Sequence, residues 1–179
     1  LLTLSRLESG MIDPGGEVCD LAEVLADVVA DATPEAGQTA CRIELEANAE
    51  ALVRGDPEML HRVFDNLLRN ALAYAAGGGW IGIGTELMEK EILVCVEDRG
   101  PGVISSDLGR LFEPFFRSSQ VAGKAGHGLG LAIAQQIVVN HHGSIAAENR
   151  PEGGLRLIVR LPRVAPETLQ SNSASPARG

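Results

Sequence analysis

The spacing of apolar residues along the chain predicts four helices that each bury one face. In each of them, apolar side chains recur three or four positions apart, which places them along one side of a helix. The clearest signal follows Asp56 and Pro57, an N-cap and a proline in the first helical turn. The first predicted helix is Leu1–Gly10, and the second starts at Asp20 and is expected to end at Pro34. The third is a long helix from Asp56 to Gly77, and the fourth is Gly128–His142.

Five further segments alternate polar and apolar residues or carry short apolar runs, and they predict strands. Trp80–Leu87 and Ile92–Val96 are joined by a short polar turn, so they should pair as an antiparallel hairpin. The other three are Arg42–Glu46, Ser144–Glu148 and Leu155–Leu161. A short helix is expected at about residues 105–111. Beyond Pro162 the sequence has no periodicity, which predicts a disordered tail.

Composition narrows the class of protein. With 45% hydrophobic residues among 179, the chain can bury a core, and no apolar run reaches the roughly 18 residues of a membrane span. The formal net charge of −9 argues against nucleic acid as the main partner. The three cysteines are far apart and odd in number, which favours reduced thiols in a cytoplasmic setting over a metal motif or a disulfide framework.

Two asparagines and a tyrosine follow one another at spacings of four on the long predicted helix: Asn66, Asn70 and Tyr74. This spacing places them on one ridge at the edge of the apolar face. Asparagine is a poor residue in mid-helix, and its amide oxygen suits Mg²⁺, which takes few protein ligands together with phosphate oxygens. A solvated polar edge is the alternative interpretation of this ridge.

A carboxylate followed by two glycines comes directly after the second strand of the predicted hairpin. Asp98 precedes Gly100 and Gly102 by two and four positions. Such a carboxylate can accept a hydrogen bond from the amino group of a base, and the glycines allow the backbone to approach a ligand closely. An ordinary turn is the alternative interpretation.

A second glycine-rich segment opens the last predicted helix, Gly126-His127-Gly128-Leu129-Gly130. Backbone N–H groups at a helix start favour phosphate binding, whereas a flexible linker is the alternative. The segment is neither a dinucleotide-binding fingerprint nor a P-loop, because no strand immediately precedes it and no Gly-Lys-Ser/Thr follows. Upstream, Leu111–Arg117 holds three of the four phenylalanines and is interpreted as an anchor that holds a loop on the core.

Taken in order, NLLRNALAY, EDRGPG, LFEPFFR and GHGLGLAIA closely resemble the N, G1, F and G2 boxes of bacterial sensor histidine kinases. The opening LLTLSRLESG resembles the end of their dimerisation and phosphoacceptor hairpin, so the resemblance covers residues 1–162. It implies a Bergerat-type fold, an α/β two-layer sandwich with a mixed, mostly antiparallel sheet and helices packed on one face. It divides its part of the chain into a hairpin end (1–12) and a catalytic ATP-binding domain (17–162), and the disordered tail predicted from the composition follows (163–179).

The resemblance also implies a site for ATP and Mg²⁺. Asn66 and Asn70 would be the catalytic residues, with Asn70 as the Mg²⁺ ligand, and Asp98 would bind the adenine amino group. The other nucleotide-binding residues would be Tyr74, Gly100, Gly102, Gly126, Gly128, Leu129 and Gly130. Ala73 and His127 depart from the family pattern, which often has a basic residue and a threonine there. A phosphate contact is therefore expected from Arg117 or Lys124.

The activity implied by the resemblance is transfer of the γ-phosphoryl group of Mg-ATP to a histidine on a dimerisation hairpin, for relay to the receiver domain of a response regulator. The full-length protein would be a homodimer anchored in the inner membrane with this portion in the cytoplasm, and the fragment alone a monomer. Two alternatives remain. One is an ATPase related to gyrase, mismatch-repair and heat-shock proteins, which carry a glutamate general base where this chain has Asn66. The other is a nucleotide-sensing module without transfer, which Ala73 leaves open.

Overall fold

The computed structural model describes residues 16–75, 79–118 and 128–165. Within these ranges a five-stranded mixed sheet carries three α-helices on one face. The helices are α1 (Leu21–Gln38), α2 (Pro57–Tyr74) and α3 (Gly130–Asn140), with a short 3₁₀ helix at Leu108–Arg110. The strands are β1 (Val18–Asp20), β2 (Arg42–Glu46), β3 (Leu52–Arg54), β4 (Trp80–Leu87), β5 (Glu91–Asp98), β6 (Ser144–Asn149) and β7 (Leu155–Pro162).

The strand order of the large sheet is β2-β4-β5-β7-β6, and only the β2–β4 pair is parallel. The predicted hairpin is confirmed, with Ile83 opposite Val96. Alternate residues such as Ile81, Ile83 and Val94 are buried against the helices, because successive side chains of a strand point to opposite faces. This two-layer arrangement confirms the predicted fold class.

The long predicted helix is α2, and it begins as its capping residues predict. The Asp56 carboxylate accepts hydrogen bonds from the backbone N–H groups of Glu58 (2.9 Å) and Met59 (3.2 Å), and proline occupies the first turn. One side of α2 buries apolar side chains, among them Phe64 and Leu67, between α1 and α3. The edge of α2 that carries the asparagines therefore lies at the margin of the core.

The prediction that Pro34 ends the helix starting at Asp20 is wrong, since this helix, α1, continues to Gln38. Proline removes the hydrogen bond to the Ala30 carbonyl, but both residues are exposed, so water can satisfy that oxygen. Ala32 and Ala36 continue the buried stripe on the opposite side of the helix. Burial of this stripe outweighs the local cost of the proline.

Several predicted boundaries differ from the observed ones. β1 and β3 pair antiparallel in a separate two-stranded sheet, and neither was predicted because three residues are too few to show a period. The helix expected at 105–111 is only the 3₁₀ turn at Leu108–Arg110. The last helix begins at Gly130 rather than at Gly128, because Gly128 has a φ of +68°.

The ordered domain continues past Pro162, so the tail predicted from residue 163 begins too early. The backbone N–H of Arg163 donates to Lys90 O and that of Val164 donates to Leu52 O, both at 2.9 Å. Residues 166–179 and the predicted hairpin end at 1–12 lie outside the described residues. In the described ranges, no helix combines the length and apolar character that a membrane crossing requires.

His141 connects the start of α2 with the end of α3. Its ring is buried; Nδ1 lies 2.8 Å from Ile137 O, and Nε2 lies 3.2 Å from the backbone N of Asp56. A carbonyl can only accept and an N–H can only donate, so this pairing requires the neutral ring with its proton on Nδ1. Burial lowers the pKa of His141. A side chain at Gly55 would overlap the imidazole, which explains the glycine there.

Candidate functional site

A cavity of about 450 Å³ lies between α2, the loop that follows β5 and the start of α3. Its volume is typical of sites for small molecules. The cavity wall brings together nine of the residues predicted from the sequence: Asn66, Asn70, Tyr74, Asp98, Gly102, Arg117, Gly128, Leu129 and Gly130. Residues from segments that are far apart in the sequence thus line the same cavity.

The asparagine ridge of α2 forms one wall of this cavity, not a solvated edge. The Nδ2 atom of Asn66 is buried and has no hydrogen-bond partner among the described residues. Leaving such a donor unpaired costs about 1–3 kcal/mol. Its Oδ1 atom lies beside Gly130 at the start of α3. Asn66 therefore fits a ligand acceptor at this end of the cavity.

Asp98 is only 3% exposed and lines the cavity at the end opposite to Asn66. Gly100, two residues after Asp98, lies against the carbonyl oxygen of Tyr74, which is eight positions along α2 from Asn66. Its Oδ1 atom accepts hydrogen bonds from the backbone N–H groups of Gly100 (2.7 Å) and Leu155 (3.3 Å). Burial raises the pKa of Asp98, while these two bonds and the charge of Arg150 oppose that effect. Both bonds reach Oδ1, so Oδ2 is the oxygen that a donor on a ligand can use.

The two glycines after Asp98 serve the packing of the loop in different ways. Gly100 does not line the cavity, and a methyl group there would lie 2.5 Å from the carbonyl oxygen of Tyr74. Gly102 lines the cavity with a φ of +73°, and a methyl group there would lie 2.7 Å from Asn149 Oδ1. Gly100 thus supports the wall from behind, and Gly102 forms part of it.

The start of α3 faces the cavity and is suited to an anion. No side chain caps the helix at Leu129, and Gly130 and Leu131 line the cavity. Uncapped N–H groups at a helix start carry partial positive charge and bind phosphate in many proteins. Gly128 is required just before the helix, because a methyl group there would lie 2.9 Å from Phe116 O.

The phenylalanine segment is only partly the anchor that its composition predicts. Phe112 packs against the core and Phe116 lines the cavity beneath the Arg110 guanidinium, 4.3 Å from the ring centroid. Phe115 is 73% exposed, so the anchor interpretation is wrong for this residue. Its backbone takes a φ of +63° and its N–H donates to Gly128 O at 2.9 Å. The segment therefore ties the loop to the start of α3 through backbone as well as side chains.

Arg117, one of two residues expected to contact phosphate, lines the cavity. The other, Lys124, lies outside the described residues together with Gly126. The roles of Lys124 and Gly126 at the site therefore remain predictions from the resemblance.

Arg69 also lines the cavity and is not among the site residues predicted from the sequence. Its Nε atom donates to both carboxylate oxygens of Asp65, at 3.0 and 2.9 Å, and its Nη1 atom donates to Glu35 at 3.2 Å. The hydrogen bond to Asp65 raises the pKa of Arg69, which keeps it charged. The signal in the sequence was the Asp65–Arg69 spacing of four, typical of a helical ion pair. Arg69 places a cation one turn before Ala73.

The donor set of this cavity fits a nucleoside triphosphate with Mg²⁺. The unpaired Asn66 donor, the open helix start and two arginines suit phosphates, and buried Asp98 suits a base. Asn70 offers an amide oxygen. The described ranges contain no group of three His, Cys, Asp or Glu that could hold a metal, so a metal here would take few protein ligands. Few protein ligands plus phosphate oxygens is the usual arrangement for Mg²⁺.

Comparison with known proteins gives one matching family. Residues 55–165, more than half of the chain, match the family described as histidine kinase-, DNA gyrase B-, and HSP90-like ATPase. The matched range begins just before α2 and ends after β7, so it contains the whole described cavity wall. Membership of an ATPase-domain family implies ATP binding.

Curated relatives carry the names of sensor proteins. The alginate biosynthesis sensor protein KinB of Pseudomonas aeruginosa is 34% identical over 163 residues, which is 90% of this chain and 27% of that protein. The sensor protein SphS of Synechococcus elongatus is 36% identical over 178 residues, 91% of this chain and 42% of that protein. The chain thus spans well under half the length of these relatives.

Solved structures that superpose on this chain include histidine kinase domains. The mycobacterial sensor histidine kinase MprB superposes with a TM-score of 0.77 at 27% identity, over 82% of this chain and 98% of that one. The catalytic domain of histidine kinase ThkA gives 0.73 at 27% identity, over 83% and 98%. The resemblance inferred from the four motifs and the Bergerat-type fold are both confirmed.

Proposed function

The chain belongs to the histidine kinase-, DNA gyrase B- and HSP90-like ATPase family, and from this membership we propose that it is the catalytic ATP-binding domain of a sensor histidine kinase. It binds Mg-ATP in the cavity and transfers the γ-phosphoryl group to a histidine on a dimerisation hairpin. The phosphoryl group then passes to the receiver domain of a response regulator. The observation that carries this proposal is the unpaired Asn66 donor beside the open start of α3, opposite buried Asp98.

The base end of the cavity, formed by Asp98, Gly102, Val103 and Leu155, recognises adenine. The adenine amino group donates to Asp98, whose Oδ1 is already held by two backbone bonds. The apolar side chains of Val103 and Leu155 cover the ring and exclude water. A buried acceptor discriminates strongly against a base that cannot donate to it, because the acceptor would then be left unpaired.

The phosphate end, formed by Asn66, Arg69, Asn70 and the segment 128–130, holds the triphosphate. Asn66 donates from Nδ2, the first N–H groups of α3 donate from the backbone, and Arg69 and Arg117 add positive charge. Asn70 provides an amide oxygen for Mg²⁺, which when bound neutralises charge on the phosphates. Catalysis of phosphoryl transfer rests mainly on such positioning and charge stabilisation.

Transfer is favoured over direct hydrolysis by the side chains at the cavity. Asp98 is the only acidic residue lining it within the described ranges, and it lies at the base end. Where related ATPases place a glutamate, this chain has Asn66, which cannot take a proton from water. We therefore expect slow hydrolysis of ATP.

The wider setting of the domain is part of the same proposal. The relatives are sensor proteins two to four times longer than this chain, as their covered shares of 42% and 27% indicate. We place the domain in the cytoplasmic part of a membrane-anchored homodimer that dimerises through the hairpin, and we expect the fragment alone to be a monomer.

A phosphorylation assay tests the proposal. The chain is incubated with γ-labelled ATP, alone and with the dimerisation hairpin of the same full-length kinase. We expect acid-labile phosphate on the hairpin only, at a low rate because the covalent tether that raises effective concentration is absent. None of the four histidines, His61, His127, His141 and His142, is followed by an acidic residue that could assist as acceptor.

Two results would contradict the proposal in different ways. Rapid release of inorganic phosphate without labelling of the hairpin would indicate an ATPase. Tight ATP binding with neither transfer nor hydrolysis would indicate a nucleotide-sensing module.

A further inference from the structure

The β6–β7 turn, taken as residues 149–155 so that it includes the last residue of β6 and the first of β7, contacts both ends of the loop 98–103. We propose that two residues of this turn, Asn149 and Arg150, are positioning residues that hold this loop and thereby set the preference of the site for adenine over hypoxanthine. This inference rests on the proposed function, because it concerns how Asp98 is aimed at a base. Neither residue lines the cavity, and neither was indicated by the sequence.

Asn149 holds the far end of the loop by two hydrogen bonds. Its Nδ2 donates to Val103 O at 2.6 Å, and its Oδ1 accepts from Val103 N–H at 2.8 Å. The amide side chain thus pairs with both the N–H and the C=O of one residue, as the backbone of a neighbouring β-strand would. This clamp fixes the position and the orientation of Val103, which lines the base end of the cavity.

Arg150 holds the near end of the loop. Its Nη1 donates to the carbonyl oxygens of Asp98 (2.9 Å) and Gly153 (3.2 Å). The side chain is only 10% exposed; its Nε lies 3.6 Å from Glu97 Oε2 and its guanidinium 5.2 Å from the centre of the Trp80 ring. A planar guanidinium held on several sides is a rigid donor. Arg150 therefore fixes the backbone from which the Asp98 carboxylate projects.

The third contact of the turn reaches the carboxylate itself. The backbone N–H of Leu155, at the start of β7, donates to Asp98 Oδ1 at 3.3 Å. Gly154, with a φ of +96°, lies so close to Asp98 that a side chain there would overlap its carbonyl oxygen. The turn thus contacts Asp98 by a side chain, by a backbone donor and by direct packing.

Recognition of the adenine amino group depends on the direction of Asp98 Oδ2, and a hydrogen bond weakens steeply when its angle falls. A loop held at only one end would allow that direction to vary. Phosphate binding depends instead on α2 and the segment 128–130. The hydrogen bonds of the turn described above reach Asp98 and Val103, not these two parts of the site. The two clamps should therefore affect base selectivity and leave phosphate affinity nearly unchanged.

Paired calorimetric titrations with ADP and inosine diphosphate (IDP) test this inference. IDP carries the same phosphates but a carbonyl oxygen in place of the amino group, so this position presents an acceptor to Asp98 instead of a donor. We expect Asn149→Ala and Arg150→Gln each to weaken ADP binding about tenfold, the size of one well-made hydrogen bond, and to change IDP binding less than about twofold. Asn149→Asp keeps the acceptor for Val103 N–H and should recover part of the loss.

Arg160→Gln is the matched control, since Arg160 also lies on this side of the sheet but pairs with Glu91 at 3.1 Å, away from the loop. It should keep the wild-type ratio of ADP to IDP affinity. Asn149 is exposed, so Asn149→Ala remains decisive if Arg150→Gln fails to fold.

The outcomes separate this inference from the proposed function. Wild-type selectivity in a folded Asn149→Ala protein, or equal losses for ADP and IDP, would overturn the positioning role while the kinase proposal stands. Equal binding of ADP and IDP by the wild type would overturn the role of Asp98 as well. Failure of the hairpin phosphorylation assay alone would leave the base selectivity and its positioning intact.

Discussion

At the base end of the cavity, Asp98 and the loop after it are held by hydrogen bonds within the protein, whereas at the phosphate end some polar groups are left open. Asp98 Oδ1 accepts two backbone bonds, and the loop after it is bonded at both ends by the β6–β7 turn. By contrast, Asn66 Nδ2 is buried without a partner among the described residues, and no side chain caps α3. The difference indicates a preformed receptor for the base and a set of donors that a phosphate ligand completes.

This contrast predicts that substitutions at the phosphate end reduce activity more than stability. Substitutions that disturb packing at the base end should reduce stability more than activity. Stability is retained when a half-buried polar side chain at a cavity wall is shortened. It is lost when backbone segments that touch are forced apart.

The largest expected effect is on catalysis, from Asn70→Ala. Removing the amide oxygen proposed to hold Mg²⁺ should lower transfer to the hairpin by at least about 100-fold, as loss of a key transition-state contact does. The melting temperature should change little. Asn140→Ala is the matched control, because Asn140 does not line the cavity and its Oδ1 accepts from Gln136 on the surface of α3. Transfer at the wild-type rate in Asn70→Ala would contradict the assignment.

The next effect is on stability, from two adjacent glycines of the β6–β7 turn. Gly153 and Gly154 both have a φ of +96°, so alanine at either carries a similar backbone strain. Only Gly154 lies against Asp98 O, while a methyl group at Gly153 meets open space. Gly154→Ala should therefore cost about 1–3 kcal/mol more than Gly153→Ala in chemical denaturation. Equal costs would show that the turn does not hold Asp98 by packing.

Asp98→Asn should separate base recognition from stability. Asparagine keeps Oδ1 as acceptor for both backbone bonds but can present an amide donor to the adenine amino group. We expect ADP affinity by calorimetry to fall about tenfold, with free energy of unfolding at pH 7 unchanged or increased. Unaltered ADP affinity would argue against Asp98 as the base acceptor.

The same variant tests the raised pKa of Asp98. A carboxyl group whose native pKa lies above its unfolded value of about 3.9 keeps its proton longer in the folded state. Wild-type stability relative to Asp98→Asn should therefore decrease as pH rises from about 4 towards neutrality. Denaturant titrations of both proteins over this range give the difference directly, and an opposite slope would refute a raised pKa.

A smaller effect is expected from the unpaired donor at the phosphate end. Asn66→Leu removes a buried unsatisfied group next to the apolar stripe of α2. The nucleotide-free protein should become more stable by about 1 kcal/mol, while ATP binding weakens. Denaturant unfolding without nucleotide and calorimetry with ATP measure the two effects. A loss of stability would indicate that a protein group pairs with Asn66.

The last effect is the pH dependence of stability that His141 confers at the end of α3. Because burial lowers its native pKa below the unfolded value of about 6.5, the unfolded chain gains the proton at a higher pH than the folded protein does as pH falls. Its contribution to stability should be complete above about pH 7 and should decline below that, by at most about 1.4 kcal/mol per pH unit. Unfolding titrations of wild type and His141→Gln between pH 7 and 5 should show this decline in the wild type only.

The sequence was most informative where one short segment contains the whole signal. The N-cap at Asp56, the hairpin of β4 and β5, and the apolar face of α2 need only neighbours within a few positions, and all were predicted. Pro34 misled the same reasoning, because local propensity predicts a break but burial of Ala32 and Ala36 is a tertiary effect.

By itself, then, the sequence determined the three α-helices, the five strands of the large sheet, the family and nine residues of the cavity wall, because helix periodicity and the four motifs are local and ordered along the chain. Only the tertiary structure decided which groups are satisfied and which are open. Asn149, Arg150 and the ring of His141 act on residues about 40 to 90 positions away, and Arg69 belongs to the site only because α2 presents it to the cavity. Hydrogen bonding and burial depend on distance in space, and no local pattern encodes the partner that the folded chain brings near.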